Sequence, residues 1–490
     1  MMWYSSRISL IMTNRSNSYQ IINEVGINHL LHKISKCFYY RSSDKNSSDD
    51  NYDDNDINYH NTIRKGFGSF HSEDIESLIN QSLEEIEEKL PPVIDNNQQF
   101  IQNYCQTRLH NFNYGIEMRN NLYNIDDKYN FLNHGAFGCT LLPILEESNK
   151  WHHYIDKQPL KFFDRELFLF IIHTIKKIAI FLNCQSNELY PIQNVTTGLN
   201  IICSSLVLSQ DDEVICFNLT YGSTKKILKH LCQKFQSKLH IIPINIPILA
   251  SKTEIIELFL KYLNKNTKLV IIDHITSNTG IIFPILELSY YSKLMGALVI
   301  IDAAHSLMAL PINIYAKQSI DVHHHPPDVI DDDNNKLNDQ SSTMNYITPT
   351  TTTTTSIAIN DVVDVWITNG HKWFSAPKGC ALMWVKPNIV VNLQPLVISH
   401  GYHLYEDNDN HNYEIVNNSS SGSSSSSRTT VKWWHQNRYP MKENKFLSGV
   451  VWNGCRDYTA FLCIPSVLQI WHSMPTYKNA KGMYVVCLLY

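Results

Sequence analysis

Between residues 213 and 301 the chain alternates short apolar segments with segments of helical spacing. The apolar segments, which predict buried strands, are Glu213–Asn218, His240–Ile244, Leu269–Asp273 and Ala297–Ile301. The segments between them, which predict helices, are Ser223–Lys234, Thr253–Leu263 and Ile285–Met295. Strands that are apolar throughout are buried on both faces, as in parallel sheets. The alternation therefore predicts an α/β fold with a mostly parallel central sheet covered by helices on both faces.

Polar side chains follow several of these strands, at the sheet edge where ligands bind in open α/β folds. Tyr221 follows the first strand, Asp273 and His274 the third, and Asp302 and His305 the fourth. A carboxylate in such a position is often a helix cap or a turn residue. A buried carboxylate can also keep a neighbouring ring nitrogen protonated, because an adjacent anion raises the pKa of that nitrogen. Both interpretations of Asp302 stay open at this point.

A second feature is the stretch 361–385, which reads as two apolar strands, Val362–Ile367 and Ala381–Val385, joined by a tight polar connection. Lys372 lies at the head of that connection, between apolar walls. Desolvation there lowers the pKa of an amine, and a neutral amine can attack an aldehyde and form a Schiff base. The alternative for an isolated lysine is a solvated turn residue.

Two further turns approach this region in the predicted topology. FLNHGAFGCT at Phe131–Thr140 is a polar loop whose glycines allow close backbone approach to a ligand, or an ordinary turn. Gln193–Gly198 opens the apolar helical run Leu199–Leu208, so its N–H groups and threonine hydroxyls favour an anion. A plain N-cap explains the same residues.

Taken together and in this order, the polar segments resemble the class V aminotransferase family, and within it the isopenicillin N epimerase-like group. The blocks that carry the resemblance are NHGAFG (Asn133–Gly138), NVTTG (Asn194–Gly198), TYGS (Thr220–Ser223), DHITSNTG (Asp273–Gly280), DAAHS (Asp302–Ser306), NGHKW (Asn369–Trp373) and WNGCRDYTAFLCIPSVLQIW (Trp452–Trp471). The resemblance implies the fold type I of pyridoxal-phosphate enzymes, pyridoxal 5'-phosphate as cofactor, an amino acid as substrate and a homodimer.

The resemblance also implies roles for single residues. Lys372 matches the lysine that forms the Schiff base, Asp302 the partner of the pyridine nitrogen, and His305 the residue near the phenolic oxygen. The cofactor- and substrate-binding positions matched are Thr196 and Thr197 in the phosphate turn, Asn369 and His371 on its second side, Tyr221 stacking on the ring, and Asn133 and His134 at the substrate end. Transamination, epimerisation and elimination are all compatible with this set.

Two departures from the family pattern stand out. Cys455 replaces a threonine that, in the family, binds phosphate across the dimer interface. After Trp471 nothing resembles the family's small C-terminal domain, which supplies a substrate-binding arginine, and Cys487 has no desulfurase-like context. The sequence therefore leaves two hypotheses: a working enzyme on an amino acid, or a cofactor-binding but catalytically weak truncated or degenerate paralogue that serves as a partner subunit.

Polar tracts divide the chain. We expect a disordered extension with one amphipathic helix, which Ser72 can cap, over residues 1–94, the cofactor-binding domain over 95–471 and an unmatched tail over 472–490. Inserts at about 317–360 and 404–445 are expected to be disordered loops. His323–His325 lies in the first insert, where a solvated tract is expected and not a metal site.

Composition excludes several other classes of protein. The net charge of -5, with no basic patch, excludes a nucleic-acid interface. The richest apolar run, Phe162–Leu182, carries six charged or histidine side chains and predicts an amphipathic helix, so no membrane span is expected. The 11 cysteines contain no CxxC pair and indicate a reduced, cytoplasmic protein without zinc. Arg7 and Arg15 leave a mitochondrial location open.

Overall fold

A computed structural model describes residues 75–109, 115–245, 251–324, 351–400, 432–433 and 446–474. These ranges all lie in one compact unit, residues 62–490. Within them, every helix is too short or too polar to cross a lipid bilayer.

The centre of the fold is a seven-stranded sheet. Its strands, in sheet order, are β1 (Leu189–Ile192), β10 (Ala381–Val385), β9 (Val365–Asn369), β6 (Leu298–Asp302), β5 (Thr267–Asp273), β3 (Glu213–Phe217) and β4 (Lys238–Ile242). The five strands from β9 to β4 are parallel, whereas β10 runs antiparallel to β1 and β9. The predicted mostly parallel sheet is confirmed, and its strands β3, β5, β6, β9 and β10 are buried along their whole length.

Helices cover this sheet. Those in the α/β core are Val195–Ser205, Gly222–Phe235, Lys252–Leu260, Ile285–Leu294 and Leu167–Leu182, the last preceded by a π-helical turn, Phe162–Glu166. The others are Ile75–Ile79, Leu83–Glu87, Val93–Tyr104 (followed by the π-helical turn Cys105–Leu109), Ile116–Leu122, His134–Phe137, Leu142–Lys157, Pro159–Lys161, Ser186–Glu188 (3₁₀), Ile359–Val362, Pro387–Val390, Phe446–Val451, Thr459–Leu462 and Ile464–Ser473. Leu167–Leu182 buries 13 of its 16 residues, so it is a core helix and not a surface one.

The first polar insert differs from its prediction as a disordered loop. Its ends form an antiparallel hairpin of β7 (Gln318–His324) and β8 (Thr351–Ile357). The physical reason is the threonine run, because β-branched side chains favour extended backbone once a partner strand is present. His325 and the middle of this insert lie outside the described residues, as does most of the second insert. Lys432–Trp433 (β11) of that insert pairs with β2 (Leu206–Val207).

The amphipathic helix predicted to start at Ser72 is two helices in the described part of the chain, Ile75–Ile79 and Leu83–Glu87. The break occurs because Ser82 forms a capping box with Glu85, so a new helix begins there. Ile75, Leu78 and Ile86 are buried in the main hydrophobic core. Residues 1–74 and the tail 475–490 lie outside the described residues.

Candidate active site

The carboxyl ends of three neighbouring parallel strands form one polar edge of the sheet. Asp273 ends β5 and Asp302 ends β6, and the two residues are in register as strand partners. Asp302 is also in register with Ile367 of β9, so the chain that leaves β9 begins beside Asp302. Sheet topology thus brings the polar residues after three distant sequence segments to one place.

Lys372 lies in a tight loop between β9 and β10. The loop is closed by backbone hydrogen bonds from the N–H of Gly370 to the carbonyl of Cys380 (2.8 Å) and from the N–H of Ala376 to the carbonyl of Gly370 (3.0 Å). The amine nitrogen of Lys372 is 3.0 Å from Nε2 of His305. Burial lowers the pKa of Lys372, and the charge of Asp302 opposes that shift. Lys372 is therefore not a solvated turn lysine.

Asp302 is almost completely buried. Its carboxylate accepts hydrogen bonds from the backbone N–H of Ala304 (3.2 Å) and from the hydroxyl of Thr224 (3.2 Å). Burial raises its pKa, whereas the Ala304 N–H and the charge of Lys372 lower it. Asp302 therefore agrees with both interpretations of the sequence. It accepts hydrogen bonds within its turn, and it is also a buried carboxylate near Lys372.

His305 connects Lys372 to the ring of Trp373. The indole N–H of Trp373 donates a long hydrogen bond, 3.5 Å, to Nδ1 of His305. Burial lowers the pKa of His305 to about 4, with the charge of Lys372 as a second cause, so the imidazole is neutral at neutral pH. The other ring nitrogen of His305, Nε2, faces the lysine amine.

His134 is fully buried in an aromatic enclosure on the same side of the site. Its ring centroid lies 5.3 Å from that of Tyr123, 5.2 Å from Phe131 and 6.0 Å from Trp373. Burial lowers the pKa of His134 to about 4. Asn133 is exposed, and its side-chain oxygen accepts from the N–H of Ala136 (3.1 Å), which caps the short helix His134–Phe137.

Close backbone approach fixes this loop against the lysine loop. A Cβ added to Gly135 would lie 2.9 Å from Nδ1 of His305. Gly138 has φ +70°, and a Cβ there would lie 1.7 Å from the carbonyl oxygen of His371. The glycines predicted to allow close approach therefore contact the loop that carries Lys372.

The start of the helix Val195–Ser205 faces the same edge. Asn194 caps it, accepting from the N–H of Thr197 (2.9 Å) and from its hydroxyl (3.1 Å). Asn369 accepts from the N–H of Val195 (3.1 Å), which ties the end of β9 to the helix start. Thr196 is half-buried next to this cap, whereas both polar groups of Thr197 are bonded within the chain. His371 lies nearby, its Nδ1 3.0 Å from the carbonyl oxygen of Cys380.

Tyr221 stands at the end of the connection that follows β3. Its side chain is 47% exposed, and its backbone N–H donates to the carboxylate of Asp273 (3.2 Å). Sequence reasoning gave no role to Asp273, Thr224 or Trp373. Asp273 could have been found from its position at the end of a buried strand, and Trp373 from its position next to Lys372. The contact from Thr224 to Asp302 depends on the orientation of the helix, which the sequence does not show.

The chain is similar in sequence to several known proteins. Residues 167–323 match the model of the class V aminotransferase family. A probable chloroplastic L-cysteine desulfhydrase of Arabidopsis thaliana is 22% identical over 364 residues, 70% of this chain and 58% of that protein. A putative L-cysteine desulfhydrase of Oryza sativa is 23% identical over 55% of this chain and 50% of its own length. The isopenicillin N epimerase of Streptomyces clavuligerus is 21% identical over 55% and 57%.

A solved structure of the cysteine desulfurase CsdA of Escherichia coli is 11% identical and superposes with a TM-score of 0.49 over 74% of this chain and 73% of its own. The chain spans about half the length of the curated relatives it matches, 50% of the rice protein and 58% of the Arabidopsis protein.

Proposed function

Because residues 167–323 of the chain match the class V aminotransferase family, we propose that it is a pyridoxal-phosphate-dependent enzyme that acts on an amino acid. Of the three chemistries open to it, we propose carbon–sulfur bond cleavage. Support comes from relatives named L-cysteine desulfhydrase in two plants and from one named hercynylcysteine sulfoxide lyase in Schizosaccharomyces pombe.

The residues at the sheet edge fit this cofactor. Asp302 is a buried carboxylate suited to a cationic ring nitrogen, and Lys372 is an amine suited to the aldehyde. The start of the helix Val195–Ser205, with the hydroxyl of Thr196 and the ring of His371, is suited to the phosphate. Tyr221, whose exposed ring follows β3, is proposed to stack on the cofactor ring.

When bound, pyridoxal phosphate supplies an electron sink for the negative charge that develops on the α-carbon of the substrate. The amine of Lys372 is proposed to hold the aldehyde and, once released, to move the α-proton. The lowered pKa of Lys372 suits this task, because a general base is most effective when its pKa is near the working pH.

His305, Asn133 and His134 are proposed to complete the site. His305, neutral at neutral pH, lies with Nε2 3.0 Å from the amine of Lys372 and is proposed to keep that amine oriented. Asn133 and His134 are proposed to line the substrate end, since the rings around His134 include Trp373, the neighbour of Lys372. This loop also packs against the backbone of the lysine loop at Gly138.

The observation that carries the proposal is the buried contact of Lys372 with His305 beside the carboxylate of Asp302. The test is to add pyridoxal phosphate to the purified chain and record the visible absorbance of the lysine-bound cofactor. Lys372→Ala should abolish that band. Lys386→Met is the matched control, because Lys386 lies at the other end of β10 from this loop and its amine donates to the carbonyl of Asp361 (3.4 Å). A parental band in Lys372→Ala contradicts the assignment.

Turnover is measured separately, with L-cysteine and water as reactants and sulfide, pyruvate and ammonia as expected products in equal amounts. Racemised amino acid or a keto acid without sulfide would assign epimerisation or transamination instead. Cofactor binding without turnover of any amino acid in a panel would favour the partner-subunit alternative. The homodimer and the cytoplasmic location remain predictions, and light scattering of the purified protein tests the first.

A further inference from the structure

The second carboxylate at the site, Asp273, has no part in the roles above. Asp273 and Asp302 are strand partners at the ends of β5 and β6, and each is 4% exposed. Two buried carboxylates on adjacent strands repel each other when both are ionised. The amine of Lys372 acts on Asp302, which leaves Asp302 the better placed of the two to carry the charge.

Both carboxylates also hold one structural unit, the start of the helix Gly222–Phe235. Asp273 accepts from the backbone N–H of Tyr221 (3.2 Å), and Thr220 is a further hydrogen-bond partner. Asp302 accepts from the hydroxyl of Thr224 in the first turn of this helix (3.2 Å). Tyr221 is the N-cap residue of this helix, and its side chain makes no capping hydrogen bond. The carboxylate of Asp273 instead accepts from a backbone N–H at the helix start.

We propose that Asp273 is a positioning residue that holds a proton beside Asp302, so that the pair presents one negative charge to Lys372, and that fixes Tyr221 over the site. The inference rests on the proposed function. The titratable groups facing Asp273 are Asp302 on β6 and the thiol of Cys216 on β3, while Lys372 faces Asp302 from the β9–β10 loop. Burial, and then the charge of Asp302, raise the pKa of Asp273 to about 7, which agrees with a retained proton.

Asp273→Asn separates charge from hydrogen bonding, because the amide oxygen still accepts from the N–H of Tyr221. If Asp273 holds a proton, Asp273→Asn exchanges one neutral group for another, so the pH titration of the bound cofactor's visible band should superimpose on that of the parent up to about pH 7. Asp302→Asn removes the charge itself, so its titration midpoint should shift about one pH unit to lower pH. Asp273→Ala should in addition weaken pyridoxal-phosphate binding about tenfold relative to Asp273→Asn, because the N–H of Tyr221 loses its acceptor.

Glu147→Gln is the matched control. Glu147 is 1% exposed, and burial raises its pKa to about 7 as well, but it lies in the helix Leu142–Lys157 and bonds Trp151 (3.2 Å). This variant should leave the cofactor titration unchanged. A shift of about one pH unit below pH 7 in Asp273→Asn overturns the shared-proton assignment, and equal affinity of the Asn and Ala variants overturns the positioning of Tyr221.

The unliganded protein distinguishes this inference from the proposed function. If the parent binds no pyridoxal phosphate, the proposed function fails. Thermal unfolding without cofactor still tests whether Asp273 keeps a proton beside Asp302. A carboxyl with a raised pKa stabilises the fold at low pH and loses that contribution as the pH rises. The unfolding temperature of Asp273→Asn should therefore increase relative to the parent between pH 5 and 8, as it should for Glu147→Gln. No such increase in Asp273→Asn overturns the retained proton.

Discussion

The amine of Lys372 lies 3.0 Å from Nε2 of His305, although 67 residues separate them in the chain. The contact arises because the two residues follow β9 and β6, which are neighbours in the parallel sheet. Asp302 ends β6, so the same pairing brings the carboxylate to the lysine. An amine, an imidazole and a buried carboxyl group thus come from two adjacent strand ends.

The charge of Asp302 is predicted to matter more for catalysis than for folding. In Asp302→Asn the side-chain oxygen still accepts from Ala304 and Thr224, but the anion beside Lys372 is lost. We expect kcat to fall about 100-fold or more, with a smaller loss of cofactor affinity. The measurement is kcat together with pyridoxal-phosphate titration.

Asp364→Asn is the control for that experiment. Asp364 is also buried, and it pairs with Lys293 (2.8 Å) at the opposite end of β9. This change should lower stability while leaving kcat per folded molecule near that of the parent. Equal kcat losses in the two variants would contradict a specific role of Asp302.

Trp373 is predicted to hold the tautomer of His305. Trp373→Phe keeps the ring that packs near His134 but removes the indole N–H that donates to Nδ1 of His305 at 3.5 Å. Since that bond is long, we expect a threefold to tenfold loss in kcat, worth about 1 kcal/mol. Cofactor affinity should be unchanged. An unchanged kcat and pH profile would show that the bond does not orient the imidazole.

Sequence reasoning could predict the strand ends but not the side-chain contacts made around them. Asp302 and Lys372 follow buried apolar strands, and parallel pairing places such positions at one edge. The 3.5 Å contact of Trp373 with His305 depends on local rotamers, which spacing does not encode. The helix cap at Asn194, in contrast, was one of the two interpretations of its segment. The hairpin of β7 and β8 was missed because composition alone does not reveal a partner strand.

Buried histidines are predicted to make the protein sensitive to acid. Burial lowers the pKa from 6.5 to about 4 for each of His134, His173, His274 and His305. A base with a depressed pKa gives stability that is present above pH 6.5 and lost as the pH falls toward 4. Each contributes at most about 2 kcal/mol of loss at pH 5. Asp273, Asp302 and Glu147, with raised pKa values, act in the opposite direction.

We therefore expect the free energy of unfolding to fall between pH 7 and pH 5, because the four histidines outnumber the three acids. His274→Leu should reduce this fall, since the ring of His274 is buried and its Nδ1 has no hydrogen-bond partner within the described residues. His153→Leu, at an exposed position, is the control and should not change the slope. Urea denaturation at pH 5, 6 and 7 gives the free energy of unfolding of the parent and of both variants, and hence its slope against pH for each protein. Equal slopes for His274→Leu and the parent would contradict the prediction.

The contact of Gly138 with the lysine loop is predicted to control cofactor binding. Gly138 has φ +70°, and a Cβ there would lie 1.7 Å from the carbonyl oxygen of His371, the residue before Lys372. Gly138→Ala therefore strains its own backbone and pushes the lysine loop away, at a cost of about 2 kcal/mol or more.

Gly222→Ala is the matched control, because a Cβ at Gly222 meets no atom within 4 Å and the position starts a helix. That change should be neutral or stabilise by about 0.5 kcal/mol. Thermal unfolding and pyridoxal-phosphate titration of both variants check the pair, since equal cofactor affinity in the two would mean that the loop carrying Gly138 does not position Lys372.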